Sequence, residues 1–188
     1  MIKIGLVTVA AWLIADLVCG FVHWLEDRYL DGMASFEFLH PPAADNALHH
    51  EDPQAMTRHS VWGNMRSAAV VAWPAAGALW LIGAPRLVVM AVFFASFGNA
   101  VHRFAHLPKS KVPRWIRVLQ ETGLFISPKH HATHHRSQET GKLIAKDRAS
   151  IAYCPMTDWV NPVVDRVRLW SRLESIIGRV TGVKPIGG

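Results

Sequence analysis

Eleven histidines against two tyrosines are the unusual feature of this 188-residue sequence, and the histidines are grouped. His102 and His106 stand four apart, the spacing that puts two side chains on one face of a helix. The run Lys129-His130-His131-Ala132-Thr133-His134-His135 follows; in a helix His131, His134 and His135 point one way and His130 is turned partly aside. His49-His50 form a third group, within His49-His50-Glu51-Asp52-Pro53, and His23 ends a long apolar run. Asp16, Gly20, His23 and Asp27 make a stripe at helical spacing along that run, and Asn99 lies a turn before His102 on the same face. Neutral imidazole is a common transition-metal ligand. One such pair arises easily by chance, whereas several groups converging beside acids in an apolar helix point to metal binding. One zinc ion takes four ligands, and this many imidazoles exceed that, so two metals fit better. Asp16, Asp27 and Asn99 are placed to hold the rings at their free nitrogens. Cys19 and Cys154 are too few for an iron–sulfur or zinc-thiolate site. Imidazole suits iron, copper and zinc alike, so ligand type leaves the element open.

The elements that must position these residues are helical. Ile4 to Val22 carries one charge, Asp16; Ser67 to Ala84 carries none; Leu87 to Val101 is again charge-free and extends to Leu107 if Arg103 snorkels. Only Pro85-Arg86 separates the last two, which predicts a helical hairpin. The start is weakly basic (Lys3) and no small-x-small site precedes His23, so the first run reads as a span rather than a cleaved leader. Of twenty Lys and Arg, fifteen lie in 103–188, three (Arg28, Arg58, Arg66) in 26–66, and only Lys3 and Arg86 on the opposite face. The positive-inside rule then puts 26–66 and 103–188 in the cytoplasm, where every histidine group also falls. The expected fold is an all-α integral membrane bundle forming one domain over 1–188. It has three spans near 4–25, 67–84 and 86–107, with cytoplasmic histidine-bearing and amphipathic helices in 26–66 and 108–188. Pro113 to Ile126 reads as an amphipathic helix whose Trp115, Ile116, Leu119, Leu124 and Phe125 suit the headgroup plane, and Val163 to Val180 as a second one ending at Gly182. The basic surplus suits anionic lipid; no nucleic-acid motif accompanies it. Histidine-rich boxes at the mouth of such a bundle suit iron-dependent oxygen chemistry on lipid.

Taken in order, several motifs resemble those of the plasmanylethanolamine desaturases. They are Asp16 to Asp27 (DLVCGFVHWLED), His49 to His59 (HHEDPQAMTRH), Asn99 to His106 (NAVHRFAH), Lys129 to His135, and Gly182-Val183-Lys184-Pro185. A related plant branch desaturates the palmitoyl chain of phosphatidylglycerol. The resemblance runs from Asp16 to Pro185. It implies a membrane di-iron enzyme that consumes O2 and introduces the vinyl-ether double bond of plasmalogens. Two electrons come from an external donor of the cytochrome b5 or ferredoxin type. Carried over residue by residue, the iron ligands are His23, His49, His50, His102, His106, His131, His134 and His135. His59 and His130 are not histidine in the plant branch and take supporting places around the ligands. His40 falls outside every motif. Two departures stand out: Cys19 replaces an expected small serine or glycine, and Tyr153 to Val160 carries an extra Pro and Asp before Asn161-Pro162.

The phospholipid's headgroup sets the depth of the reacting carbon, and Lys129 and Arg136, flanking the histidine box, are candidate phosphate contacts. The nearest competing readings are an acyl-chain desaturase or hydroxylase of a phospholipid, served by the same metal pair, and a non-enzymatic metal-binding signalling protein of the membrane. The expected location is the inner membrane of a bacterium or the endoplasmic reticulum of a eukaryote, with the histidines on the cytoplasmic side. The first span begins at once, which weighs against the chloroplast branch.

Overall fold

The structure is a computed structural model; it describes residues 2–30, 48, 52–139 and 152–186, apart from the side chains of 2 and 136–139. Among the described residues the regular structure is entirely helical. Helix α1 (Ile2–Tyr29) is followed by the single turn α2 (Ala55–Arg58), α3 (Val61–Leu81), α4 (Arg86–Ala95) and α5 (Gly98–His106). After a 3-10 turn at Lys109–Lys111 come α6 (Arg114–Glu121), α7 (Pro128–Glu139), α8 (Val160–Arg166) and α9 (Leu169–Thr181).

Local chemistry sets the boundaries. Ser60 caps α3, its Oγ accepting from Gly63 N–H at 2.9 Å. Gly83 in the left-handed region (φ 74°) ends α3, and Pro85 opens α4, giving the expected hairpin. The expected continuous helix over 86–107 is instead broken: α4 and α5 are bent by 45° at Ser96-Phe97. The break is supplied with partners from other helices. Trp73 Nε1 donates to Ser96 Oγ (3.1 Å), Ser96 Oγ donates to Phe93 O (2.8 Å), and the Cys19 thiol donates to Ala95 O (3.3 Å). By length and composition α1 is apolar enough to cross a membrane, and α4 with α5 is so only when taken together, as a broken span or a re-entrant loop. Helix α3, expected as a third span, does not reach that apolarity alone; Asn64 and Arg66 in its first turns, with Trp73, Pro74 and Trp80, lower it.

Helix α4 packs along both α1 and α3, and α5 carries the chain up to the histidines. The segments after α5, the first of them expected to lie in the headgroup plane, press against α1. Trp12 Nε1 donates to Leu124 O at 3.0 Å, and its ring stacks on Phe125 at 5.6 Å. Ala15, Val101, Ala105, Ile126 and Met156 form one buried cluster, and Trp24, Tyr153, Cys154, Val164 and Trp170 a second. Helix α6 stops at Glu121, short of the expected Ile126, because Gly123 turns left-handed (φ 74°) against Trp159. Its Ile116 is fully buried while Trp115 stays exposed. The second amphipathic stretch is two helices, broken at Arg168 (φ 52°) and ended by Gly182 (φ 73°).

Two glycines allow the close approach around α1. A Cβ at Gly98 would lie 2.7 Å from Cys19 Sγ, so the departure at Cys19 is accommodated by a missing side chain across from it. A Cβ at Gly20 would lie 2.5 Å from Cys154 Sγ and 2.9 Å from Cys154 Cα. Backbone on one side leaves little room to yield, so Gly20→Ala is expected to cost about 1–3 kcal/mol and lower the melting temperature in detergent by several degrees. An unchanged thermal melt contradicts this packing.

Candidate metal centre

Helix α5 presents His102 and His106 on its inner face, and α7 presents His131 and His135, each pair four residues apart. His131 Nε2 lies 2.8 Å from His102 Nε2, 3.0 Å from His106 Nε2 and 2.9 Å from His135 Nε2; His102 and His106 Nε2 are 3.2 Å apart. A ring nitrogen offers one proton or one lone pair, so three such approaches to one Nε2 cannot all be hydrogen bonds. A cation among them turns the remaining lone-pair repulsions into attractions. Donors about 2.1 Å from one ion stand about 3.0 Å apart at right angles and about 3.4 Å apart at tetrahedral angles. The observed spacings fit the first. Burial, together with the neighbouring imidazoles, pushes His131 well below its ordinary pKa, which keeps the ring neutral and able to ligate.

A second group lies alongside, made by α1 and α7. Asp27 Oδ2 is 3.4 Å from His134 Nε2 and 3.6 Å from His23 Nε2, and the His23 and His134 rings are 4.5 Å apart. These separations are long for hydrogen bonds and suit donors around an ion. Asp27, expected to hold a ring at its far nitrogen, therefore stands on the same footing as the imidazoles. His23 Nδ1 is 3.0 Å from Tyr153 O. A carbonyl only accepts, so Nδ1 carries the proton and Nε2 presents its lone pair to Asp27 and His134. The His23 ring is 5.5 Å from that of His102, which brings the two groups side by side.

The loop 152–159 holds this arrangement. Met156 N–H (2.7 Å), Thr157 N–H (3.1 Å) and the Thr157 hydroxyl (2.7 Å) all donate to the buried Asp16 carboxylate. Asn161 clamps Cys154 through both backbone groups, accepting from its N–H (2.9 Å) and donating to its carbonyl (2.8 Å). Asp16 thus acts on His23 through the loop that carries the Tyr153 carbonyl, rather than on a ring nitrogen. Tyr153, Thr157 and Asn161 were not singled out by the sequence reading. Their signal was the Tyr153 to Val160 stretch itself, seen there only as a departure.

The other expected residues lie elsewhere. His59 is exposed, and its carbonyl accepts from Arg103 Nε at 2.8 Å. His130 Nδ1 faces Asp158 Oδ1 at 3.8 Å, away from both groups. Lys129 is exposed. Asn99 makes no hydrogen bond among the described residues and opens on a cavity instead. His49, His50, His40 and the Arg136 side chain lie outside the described residues.

That cavity, about 350 Å³, lies between α1 and α3 with α4 and α5 as its floor. Val18, Val22, Val71, Ala72, Ala75 and Val92 make its apolar walls, while His23, His102, Glu26 and Asn99 also face it. Glu26, on α1 a turn beyond His23, was likewise missed by the sequence reading.

Buried imidazole groups compatible with metal binding thus stand beside an apolar slot. Residues 12–187 match the lipid desaturase domain family, and the chain belongs to it. Relatives include a "Probable fatty acid desaturase" of Acanthamoeba polyphaga mimivirus, 28% identical over 94% of this chain and 84% of its own length. The "Plasmanylethanolamine desaturase 1" of Mus musculus is also 28% identical, over 94% of this chain and 66% of its own length. The "Fatty acid desaturase 4-like 2, chloroplastic" of Arabidopsis thaliana is 28% identical over 94% of this chain and 60% of its own length. The chain thus spans under two thirds of the mouse and plant relatives. No solved structure matches.

Metal analysis of the purified protein checks the geometry. The wild type is expected to hold two transition-metal ions; His131→Ala and His134→Ala each lower the content, while His59→Ala and His130→Ala leave it unchanged. A His131→Ala protein with full metal content contradicts the first group.

Proposed function

We propose that the chain is an O2-dependent lipid desaturase of the membrane whose two metal ions are iron. The finer reading is formation of the vinyl-ether double bond of plasmalogens from 1-alkyl ether phospholipids. One observation carries the proposal: His23 and His102, one from each imidazole group, face the same apolar slot. The names of the relatives support it, since mammalian, bacterial, plant and viral members are all called desaturases.

His102, His106, His131 and His135 would hold one ion, and His23, Asp27 and His134 the other; His49 and His50 complete the ligand set implied by the resemblance. Imidazole and carboxylate donors without thiolate suit non-haem iron. When bound, an iron pair supplies the oxidising power to take hydrogens from unactivated carbon, which no side chain can do. The chain's own residues bind and orient. The valines and alanines of the slot surround a hydrocarbon chain and keep water from the reacting carbons. The Tyr153 carbonyl and the Asp16-anchored loop hold His23 in one ring orientation, so the chain meets a fixed centre.

Embedding in a lipid bilayer is the reading the surface favours. Ile4, Leu6, Phe21 and Val22 of α1 are exposed, as are Val70, Trp80, Leu81 and Ile82 on and beyond α3. Apolar exposure on this scale suits lipid rather than water. The slot between α1 and α3 then receives its substrate sideways from the bilayer.

Ala72→Phe is expected to fill the slot, cutting product formation at least about tenfold while metal content stays at the wild-type level. Mass spectrometry of lipids from cells with and without the protein reads the product, because vinyl ethers release an aldehyde in acid and acyl chains do not. A new double bond in an acyl chain supports the desaturase and overturns the ether substrate. No new double bond in any lipid overturns both.

A further inference from the structure

We propose that Gln54 and Gln120 are positioning residues for the first imidazole group, their carboxamides holding the last turn of α5 in register with α7. This role rests on reading His102, His106, His131 and His135 as the ligands of one ion.

His106 is the last residue of α5. The final four carbonyls of a helix have no donor within it, so a terminal turn frays unless other groups supply one. In α5 these carbonyls belong to Arg103, Phe104, Ala105 and His106. Gln120 Nε2 donates to Phe104 O at 3.2 Å, and Gln54 Nε2 donates to His106 O at 3.1 Å. The Nε2 atoms of the group approach one another at 2.8 to 3.2 Å. A helix rises about 1.5 Å per residue, so even partial unwinding of this turn carries His106 out of range of a shared ion.

Gln120 does more than close the turn. Its Nε2 also donates to Ile126 O at 3.3 Å, two residues before α7 begins at Pro128. A carboxamide nitrogen carries two hydrogens, one for each carbonyl. One side chain thereby ties the helix bearing His102 and His106 to the entry of the helix bearing His131 and His135. Gln120 is 8% exposed and stands four residues after Ile116 on the buried side of α6. Leucine or methionine would fill that place without burying an amide. The two carbonyls it serves, rather than packing, explain a glutamine there.

Gln54 lies in the His49 to His59 motif, and its segment is joined to α5 from both sides. Arg103 of α5 donates through Nε to His59 O at 2.8 Å and through Nη2 to Thr57 O at 3.3 Å. Asn64 Nδ2 of α3 donates to Met56 O at 3.1 Å and steadies the same turn. Residues 54–59 are thus clasped to the end of α5, and the exposed His59 contributes its carbonyl to that clasp.

The test is a titration of the metal-free protein in detergent with Co2+, whose visible absorption reports the geometry of its donors. The wild type is expected to take up two ions, the first-group ion being lost in His131→Ala and the other in His134→Ala. Gln120→Met keeps the volume and removes both donated bonds. It is expected to weaken the first-group ion about tenfold or more and to change its absorption band, with the second ion unchanged. Gln54→Met is expected to weaken the first-group ion about fivefold. Wild-type affinity for both ions in Gln120→Met overturns the proposal. Equal weakening of both ions does so too, because that is general loosening of the bundle. If Gln120→Met does not fold, Gln54→Met decides, and an unchanged first-group ion overturns the assignment. A wild type that binds neither ion overturns the metal-centre reading and the positioning role with it, an outcome seen before any glutamine variant is compared.

Discussion

The structure turns on nitrogen atoms crowded beyond what hydrogen bonding allows. Three Nε2 atoms, those of His102, His106 and His135, stand at contact distance around that of His131, and at most one of these close approaches can be a hydrogen bond. Without a cation this cluster is a buried collection of opposed lone pairs; with one it becomes a coordination shell. Helices must then be held at fixed register to keep it, because binding free energy at such a site is also folding free energy. Any metal binding here and the packing of α1, α5 and α7 would be one problem rather than two.

The second imidazole group shows how the fold answers that problem. His23 sits on α1, and its orientation depends on a carbonyl 130 residues away in sequence. That carbonyl belongs to a loop without regular structure, fixed at one point by Asp16 and at another by Asn161. An acid buried in an apolar helix is costly unless it is engaged. Here it is engaged three times over by one loop. Arg28 does similar work at the end of α1: it pairs with Glu174 and donates to the Ile186 carbonyl, tying α9 and the chain beyond it to the helix that carries His23. The candidate site is in this sense assembled around α1, which also lines the cavity.

What could be read from the sequence was what spacing alone determines. His102 with His106, and His131 with His134 and His135, share helix faces at any tertiary arrangement, and the Pro85 hairpin follows from composition. Asp27 was seen on the right stripe, though its direct approach to His134 needed the fold. The break at Ser96 was not read, although Ser96 and Gly98 interrupt the apolar run there, and the groups that engage it, Trp73 and Cys19, lie on other helices. The loop from Tyr153 to Thr157 has no periodicity to detect, since its role is carried by backbone atoms and one hydroxyl, that of Thr157. Asn99 shows the limit from the other side: its spacing from His102 was read as support for the ring, and the fold turns it to the cavity instead.

X-ray absorption and Mössbauer spectroscopy of the iron-loaded protein test the central claim most directly. Two irons, each surrounded by several imidazole nitrogens and with no sulfur donor, are the expected result, one of them also bearing a carboxylate oxygen. A single iron, or iron bound at the surface with the imidazole groups unperturbed, contradicts the account.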